Sequence, residues 1–151
     1  VNLLPTTCHV YFGSVIGALP DGRLAGEPVS EGISPVQGAD RHGPTAVLKS
    51  AAKIDHLRTG GTLLNQKFLP DVLKNEKDLT KLMHLIRSYF KLNGHHLQFN
   101  IVDTSLLRKA QAAPDEYRIL LVRVAGYSDY FVDLDIDHQE EIIARTENNG
   151  M

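Results

Sequence analysis

The 151-residue chain has a single cysteine, Cys8, which excludes an internal disulfide framework and a zinc or iron–sulfur site built on cysteines. No apolar run reaches the length of a membrane span. The chain also lacks a large excess of charge of either sign, because its 16 basic and 18 acidic side chains leave a net charge of −2. That balance argues against a nucleic acid or an anionic membrane as the main partner. We expect a reduced, cytoplasmic setting. Because the sequence begins with Val1 rather than methionine, we expect a processed protein or a piece of a longer one.

The common catalytic motifs are absent as well. There is no phosphate-binding G-x-x-x-x-G-K-[ST] segment and no hydrolase G-x-S-x-G elbow. None of the seven histidines has metal-ligand spacing, and neighbours such as His95 and His96 diverge in a strand, so no metal site is predicted. Cys8 beside His9 is not a catalytic pair for the same reason, and we interpret it as a small buried apolar residue.

The spacing of apolar and turn-forming residues indicates strands that alternate with helices. Strands are predicted at residues 8–12, 62–68, 95–102 and 119–125, and helices at residues 44–54, 78–92, 106–112 and 136–147. Residues 22–43 contain five glycines and two prolines and are predicted to form a long ordered functional loop. Residues 119–125 are almost continuously apolar, which is typical of a strand buried on both faces. The alternation predicts an α/β fold with parallel strand pairing.

An apolar stripe in the longest predicted helix is expected to face the core. It consists of Leu79, Leu82, Met83, Ile86 and Phe90. In the last predicted helix, Asp135 or Asp137 is expected to cap the start. Its charged face, with Glu140, Glu141 and Arg145, is expected to be solvated.

Four segments in order along the chain resemble one known family. The most specific consists of Arg123, Val124, Ala125, Gly126, Tyr127 and Ser128, which resembles the radical-bearing loop of glycyl radical enzymes, the pyruvate formate-lyase-like family. Residues 21–45 resemble its glycine-rich segment, residues 94–100 its glycine–histidine strand, and residues 142–146 its C-terminal helix.

The resemblance implies both a fold and a division of the chain. Family members form a ten-stranded α/β barrel of two parallel half-sheets with surrounding helices, and this chain would be the C-terminal portion. Residues 1–20 would end the catalytic barrel domain, and residues 21–151 would form the glycine radical domain. The radical loop would span about residues 123–131, and a C-terminal helix about residues 136–147.

The resemblance also implies a chemistry, with Gly126 as the radical residue. A radical on a glycine α-carbon is planar and is delocalised between the electron-donating amide nitrogen and the electron-withdrawing carbonyl, an arrangement that a Cβ would crowd. Val124, Tyr127, Tyr130 and Phe131 would shield it from solvent. A radical SAM activating enzyme, which holds S-adenosylmethionine and a [4Fe–4S] cluster, would remove the hydrogen atom, so this chain itself binds no cofactor. The glycyl radical would then generate a thiyl radical on a cysteine, assisted by a neighbouring glutamate.

The chain departs from the family because its cysteine loop is absent: Cys8 lies outside any such motif. The catalytic cysteine and glutamate would lie in an upstream part, and the chain alone would be inactive. The expected full-length enzyme is a homodimer in the cytoplasm, or alternatively in a bacterial microcompartment, acting on a small-molecule substrate. An incomplete barrel would expose apolar faces and make the isolated chain prone to self-association.

The segments around the glycine resemble most the branch with glycerol and propanediol dehydratases, hydroxyproline dehydratase and choline trimethylamine-lyase. A dehydration or elimination on a small hydroxylated substrate is therefore expected, and Thr6 and Thr7 could donate hydrogen bonds to it or serve only as strand residues. The alternatives are a formate C-acetyltransferase-type enzyme, a stand-alone radical subunit that replaces a damaged C-terminus, and a non-enzymatic α/β domain.

Overall fold

The computed structural model describes residues 8–60 and 62–150. A parallel three-stranded sheet lies at its centre, with the order β2-β1-β5. Its strands are β1 (Asn65–Phe68), β2 (Gln98–Ile101) and β5 (Glu147–Asn148). An antiparallel hairpin is formed by β3 (Leu121–Arg123) and β4 (Ser128–Tyr130). The helices are α1 (Cys8–Val15), α2 (Gly43–Ala51), α3 (Glu76–Lys91), α4 (Thr104–Ala112) and α5 (Ile136–Ala144). Parallel strands joined through helices confirm the predicted α/β class.

Two apolar clusters form the core on either side of this framework. The first joins α4, α5 and the hairpin through Val102, Leu107, Ala110, Val122, Val124, Phe131, Ile142 and Ile143. The second joins α2 and α3 to β1 through Leu48, Ala51, Leu64, Phe68, Leu85 and Tyr89. Burial of these side chains is the main stabilising contribution to the fold. The hairpin is thereby packed between the sheet and the last two helices.

Three helices begin at a side-chain cap, and the cap predicted for the last helix is confirmed. Asn75 accepts a hydrogen bond from the Asp78 amide at the start of α3. Asp103 accepts one from the Leu106 amide and begins α4. Asp135, one of the two candidates for α5, accepts one from the His138 amide. Each side chain satisfies a backbone donor that the first helical turn leaves free, so these helix starts follow from the local sequence.

The predicted loop over residues 22–43 is also confirmed, since no helix or strand lies between the end of α1 at Val15 and the start of α2 at Gly43. Arg23 is buried and ties the loop together by donating to the carbonyls of Glu27, Gly17 (2.6 Å) and Ile16 (3.2 Å). At Gly32 the backbone has a φ of +58°, and an added Cβ would lie 2.4 Å from the Leu63 carbonyl oxygen. Glycine is required there, because the loop runs against the segment that enters β1.

The strand predicted at residues 8–12 is wrong, because Cys8–Val15 forms α1. His9 and Gly13 are buried four residues apart and therefore lie on one helix face. A short, uniformly apolar run does not distinguish a strand from a helix by periodicity. The buried interpretation of Cys8 is wrong for the same reason: it lies on the outer face of α1 and is exposed.

The apolar stripe predicted for α3 is wrong in part. The residues that enter the core are Leu85 and Tyr89, with Leu82 half-buried, whereas Leu79, Met83 and Phe90 are exposed. The helix carries apolar side chains on more than one face, and the described residues cover only one of them. Hydrophobic periodicity could not decide which face meets the sheet.

Two predictions near the end of the chain are corrected as well. Residues 119–125 are not buried on both faces, since Val122 is 2% exposed but Leu121 is 58% exposed. The segment pairs with β4 and turns one face to the core, which gives alternation instead of continuous burial. The predicted helix at 136–147 ends at Ala144, because Glu147–Asn148 leaves it to pair with β1 as β5.

Candidate functional site

The glycine-containing loop is the tip of the β3–β4 hairpin. Arg123 and Ser128 form the last residue pair before the turn. Across the turn, the Val124 amide donates to the Tyr127 carbonyl at 2.9 Å. Gly126 is exposed and has a φ of +79°, in the left-handed region where other L-residues are strained. A Cβ built on it would lie 3.3 Å from Leu63 Cδ1. Both the backbone conformation and this contact favour glycine at the tip.

Arg145, directly after α5, binds the backbone of the strand that leads to the tip. Its Nη1 donates to the Arg123 carbonyl and its Nη2 to the Val124 carbonyl, both at 3.0 Å. Glu141, one turn earlier, holds this guanidinium through Nε (3.0 Å) and Nη2 (2.7 Å). The expectation that Glu141 and Arg145 form a solvated face is therefore wrong: Glu141 is 3% exposed. The helix packs this face against the hairpin, whereas Glu140 pairs outward, with Arg108.

The environment of Glu141 keeps it ionised. Burial opposes the charge, but the Arg145 guanidinium and hydrogen bonds from His9 and Arg145 outweigh burial and lower the pKa of Glu141 to about 2. The His9 ring lies 3.4 Å from the same carboxylate, and Gln37 donates to its other oxygen at 2.8 Å. The carboxylate thus joins α1, the glycine-rich loop and α5 behind the hairpin.

Two asparagines of the parallel sheet also bind the hairpin backbone. Asn100 on β2 donates to the Arg123 carbonyl and accepts from the Arg123 amide, each at 2.7 Å. Its side-chain amide thus makes the two backbone hydrogen bonds that a neighbouring strand would otherwise make. Asn65 on β1 donates to the Val124 carbonyl at 3.3 Å and also to buried Glu31. The pKa of Glu31 is raised by burial, although the Arg145 charge opposes this shift. These contacts connect the glycine-rich loop with the hairpin.

The Arg123 side chain reaches across the tip. Its Nε donates to Gln98 Oε1 at 2.7 Å, and its Nη1 donates to Ser128 Oγ at 3.2 Å. Its Nη2 donates to the Gly126 carbonyl oxygen at 3.1 Å. A cationic donor therefore lies on the carbonyl of the tip glycine itself.

The predicted shielding residues divide into two groups. Val124 and Phe131 are fully buried in the core cluster below the tip, and Ala125 is 5% exposed. Tyr127 and Tyr130 are 38% and 42% exposed, so they do not enclose Gly126. Burial and the carboxylates of Asp129 and Asp135 raise the pKa of Tyr127, which keeps the phenol protonated. On the described residues the tip is held firmly but is open on its outer side.

The sequence analysis also names Thr6, Thr7 and Cys8. Thr6 and Thr7 are outside the described residues. Cys8 lies at the start of α1, a helix whose His9 contacts Glu141 of α5. Across residues 8–60 and 62–150, no group of three or more His, Cys, Asp and Glu side chains is arranged to hold a metal ion. The same residues contain no helix long and apolar enough to cross a bilayer.

Sequence reasoning missed the residues that hold the loop from outside: Asn65, Asn100, Glu141 and Arg145. Each is far from the tip in sequence, and the signals were ordinary. Asn100 lies between Phe99 and Ile101 in a predicted strand, and a polar side chain buried there needs a partner, a requirement that could have marked it. Nothing in the sequence identifies the partner as the Arg123 backbone.

Comparison with known protein families points to the same hairpin tip. The family model described as "Glycine radical" matches residues 29–132, a range that includes the hairpin tip. The chain belongs to this glycine radical family, and the family resemblance of the sequence is confirmed.

Several proteins that resemble this chain are named as dehydratases. The trans-4-hydroxy-L-proline dehydratase of Clostridioides difficile is 58% identical over 147 residues, which cover 97% of this chain and 19% of the relative. The crystal structure of hydroxyproline dehydratase from the same organism matches with a TM-score of 0.93 at 57% identity, over 99% of this chain and 19% of that one. The B12-independent glycerol dehydratase of Clostridium butyricum matches with a TM-score of 0.95 at 50% identity, over 98% and 19% of the two chains. The chain thus spans 19% of the length of these relatives.

Proposed function

We propose that Gly126 stores a backbone radical and that this chain is the C-terminal, radical-bearing part of a glycyl radical dehydratase or lyase. The observation that carries the proposal is the tip itself, a glycine at φ +79° on a hairpin whose backbone is bound by Arg145 and Asn100. Such a tip presents a Cα without a Cβ on a rigid support. Membership in the glycine radical family supports the same assignment.

The proposed reaction begins with the removal of one hydrogen atom from Gly126. A radical SAM activating enzyme, carrying S-adenosylmethionine and a [4Fe–4S] cluster, breaks the Cα–H bond of Gly126 homolytically and keeps the hydrogen atom, so one electron remains on Cα. The glycyl radical then takes a hydrogen atom from a cysteine thiol outside this chain, which leaves a thiyl radical and restores the glycine. The thiyl radical takes a hydrogen atom from the substrate, and a neighbouring glutamate assists the loss of water or another leaving group. The product radical then takes the hydrogen atom back from the cysteine thiol, which restores the thiyl radical.

The contribution of this chain is to hold and present the glycine. Because Gly126 is exposed on the described residues, we propose that the upstream part carrying the catalytic cysteine and glutamate covers the tip. The activating enzyme would reach Gly126 when the hairpin and α5 separate from that cover. Hydrogen exchange over residues 119–147, with and without the activating enzyme, tests this movement. Equal protection in both states contradicts it.

For the substrate we propose a small hydroxylated compound. The names of the relatives support this class, since they include dehydratases of trans-4-hydroxy-L-proline, glycerol and 1,2-propanediol. Relatives at lower identity carry out other eliminations, such as isethionate sulfite-lyase at 44%. A panel of these four compounds is the first assay. Thr6 and Thr7 remain proposed substrate contacts, and a homodimer in the cytoplasm or in a microcompartment remains the proposed assembly.

The radical assignment is tested by electron paramagnetic resonance on the anaerobically activated full-length enzyme. We expect a glycyl doublet and, after exposure to air, cleavage of the backbone at residue 126. Gly126→Ala should lose both. Gly38→Ala is the matched control, because Gly38 has a φ of +78° and open space around its Cα, so its strain is similar but it lies away from the tip. Wild-type enzyme that gives no glycyl signal, or a G126A variant that keeps it, contradicts the proposal.

The isolated chain is expected to have no turnover, since it lacks the cysteine motif that the reaction requires. Incubation of residues 1–151 with activating enzyme, S-adenosylmethionine and the substrate panel checks this point. Product formation would show that no upstream part is needed.

A further inference from the structure

The contact between the Arg123 guanidinium and the Gly126 carbonyl has a consequence for the radical itself. Among the polar side chains that bind the hairpin, Asn65, Asn100 and Arg145 act on the backbone of residues 123 and 124. Arg123 is different, because its Nη2 lies 3.1 Å from the carbonyl oxygen of the glycine. That carbonyl is conjugated with Cα once the hydrogen atom has left.

We propose that Arg123 is a radical-tuning residue, whose guanidinium withdraws electron density through the Gly126 carbonyl and stabilises the glycyl radical. The inference rests on the proposed role of Gly126. In an α-carbon radical of this type, the amide nitrogen donates density and the carbonyl accepts it. A hydrogen bond from a cation lowers the energy of the acceptor half, as charge-assisted hydrogen bonds do wherever negative charge develops on oxygen. Spin density then moves from Cα toward the carbonyl and the amide nitrogen.

Two hydrogen bonds fix the orientation of the Arg123 guanidinium. Nε is anchored on Gln98 Oε1 at 2.7 Å and Nη1 on Ser128 Oγ at 3.2 Å, which leaves Nη2 directed at the Gly126 oxygen. A planar fork with several donors can make these bonds at the same time, whereas an ammonium group cannot reproduce their geometry. The two anchors lie on different strands, β2 and β4.

The position of the Arg123 backbone does not depend on its side chain. Its amide donates to Asn100, and its carbonyl accepts from Asn100 and Arg145. Truncating the side chain therefore removes the cation from the Gly126 carbonyl but leaves the backbone bonds of the hairpin in place. This separation makes the role testable without unfolding the loop.

The test compares the activated full-length enzyme with its Arg123→Met, Arg123→Lys and Arg118→Met variants by electron paramagnetic resonance. Arg118 is the matched control, because it is an exposed arginine near the same hairpin, paired with Asp115 outside the tip. In Arg123→Met we expect a larger α-proton hyperfine coupling and a radical lifetime shorter by up to about tenfold. Arg118→Met should match the wild type, and Arg123→Lys should fall between Met and wild type.

A second measurement detects the contact directly. With guanidino-¹⁵N arginine, electron–nuclear double resonance on the wild type should show a weak nitrogen coupling that persists in Arg118→Met and disappears in Arg123→Met. Wild-type coupling and lifetime in Arg123→Met overturn the inference. So does the loss of any radical in both Arg123 variants while hydrogen exchange shows them folded, since Arg123 would then act in activation and not on the formed radical. A wild type without a glycyl signal is a failure of the proposed function instead.

Discussion

Replacement of Arg145 by methionine tests whether the end of α5 holds the hairpin. The change removes the bonds to the Arg123 and Val124 carbonyls and leaves Glu141, which is 3% exposed, without its principal cation. Both carbonyls keep another donor, Asn100 and Asn65 respectively, so the cost arises mainly from the carboxylate.

The magnitude follows from the burial of the ion pair. Removing one partner of a buried ion pair costs about 3–5 kcal/mol, and the lower end applies here because His9 and Gln37 still contact Glu141. Because the pKa of Glu141 is lowered to about 2, the carboxylate is charged at neutral pH, and this cost applies there. We therefore expect local opening of residues 119–147 to become easier by about 3 kcal/mol, or on the order of a hundredfold in exchange rate.

Native-state hydrogen exchange at neutral pH, followed by mass spectrometry of peptides from residues 119–147, measures this change. The control is Arg108→Met, which removes an arginine that pairs with Glu140 on the solvent side and should leave protection unchanged. Equal protection in Arg145→Met and Arg108→Met would refute the reasoning.

The dependence on pH provides a second check with a definite sign. In the wild type the pKa of Glu141 is lowered by folding, so its stabilisation is present above pH 4.5 and is lost as the pH falls toward 2. In Arg145→Met, burial is no longer balanced by this cation, and the pKa values of both Glu141 and Glu31 rise. The stability of that variant should therefore fall less on acidification through this range than that of the wild type, with His9 and Gln37 still facing Glu141. Urea titrations from pH 3 to 7 that show parallel curves for both proteins contradict this.

Three further outcomes are expected. Gly126→Ala should destabilise the hairpin by about 1–2 kcal/mol, because alanine is strained at φ +79° and its Cβ meets Leu63; hydrogen exchange over the tip measures this, and unchanged protection would count against the left-handed turn. Asn100→Ala should cost about 1–3 kcal/mol, since the Arg123 amide loses its acceptor, and a loss of exchange protection confined to residues 121–130 would identify that contact. The isolated chain should self-associate through exposed apolar residues such as Leu57 (99% exposed) and Ile119 (86% exposed), and a monodisperse monomer in light scattering at high concentration would contradict this.

Much of the fold is predictable from local signals. Asp135 starts its helix where the sequence indicates, and the glycine-rich loop ends at the helix that includes Pro44. These features depend on residues within four positions of one another. The family resemblance then adds the chemistry of Gly126, which local pattern alone would describe as an ordinary turn.

The failures share a physical cause, which is that they depend on partners distant in sequence. The exposed side of α3, with Met83 and Phe90, and the outer face of β3, with Leu121, are apolar, yet the described residues do not cover them. Charge and spacing alone predict that Glu141 and Arg145 are solvated, because the sequence does not show that the hairpin packs against them. Periodicity measures amphipathicity, but it contains no information on what a face meets.

The support of the tip also explains how a short loop can be specialised for one residue. An isolated two-stranded hairpin is marginally stable, and this one has only three residue pairs. Besides the apolar cluster beneath it, the hairpin is stabilised by Asn100, Asn65 and Arg145, all of which bind backbone atoms and so place no requirement on the side chains at the tip. The tip residues are thereby free to serve the proposed chemistry, as glycine at 126 and a cation at 123. Because this support lies on the inner side of the hairpin, we propose that the cover of Gly126 comes from another surface that docks over the hairpin, and not from the loop folding back on itself.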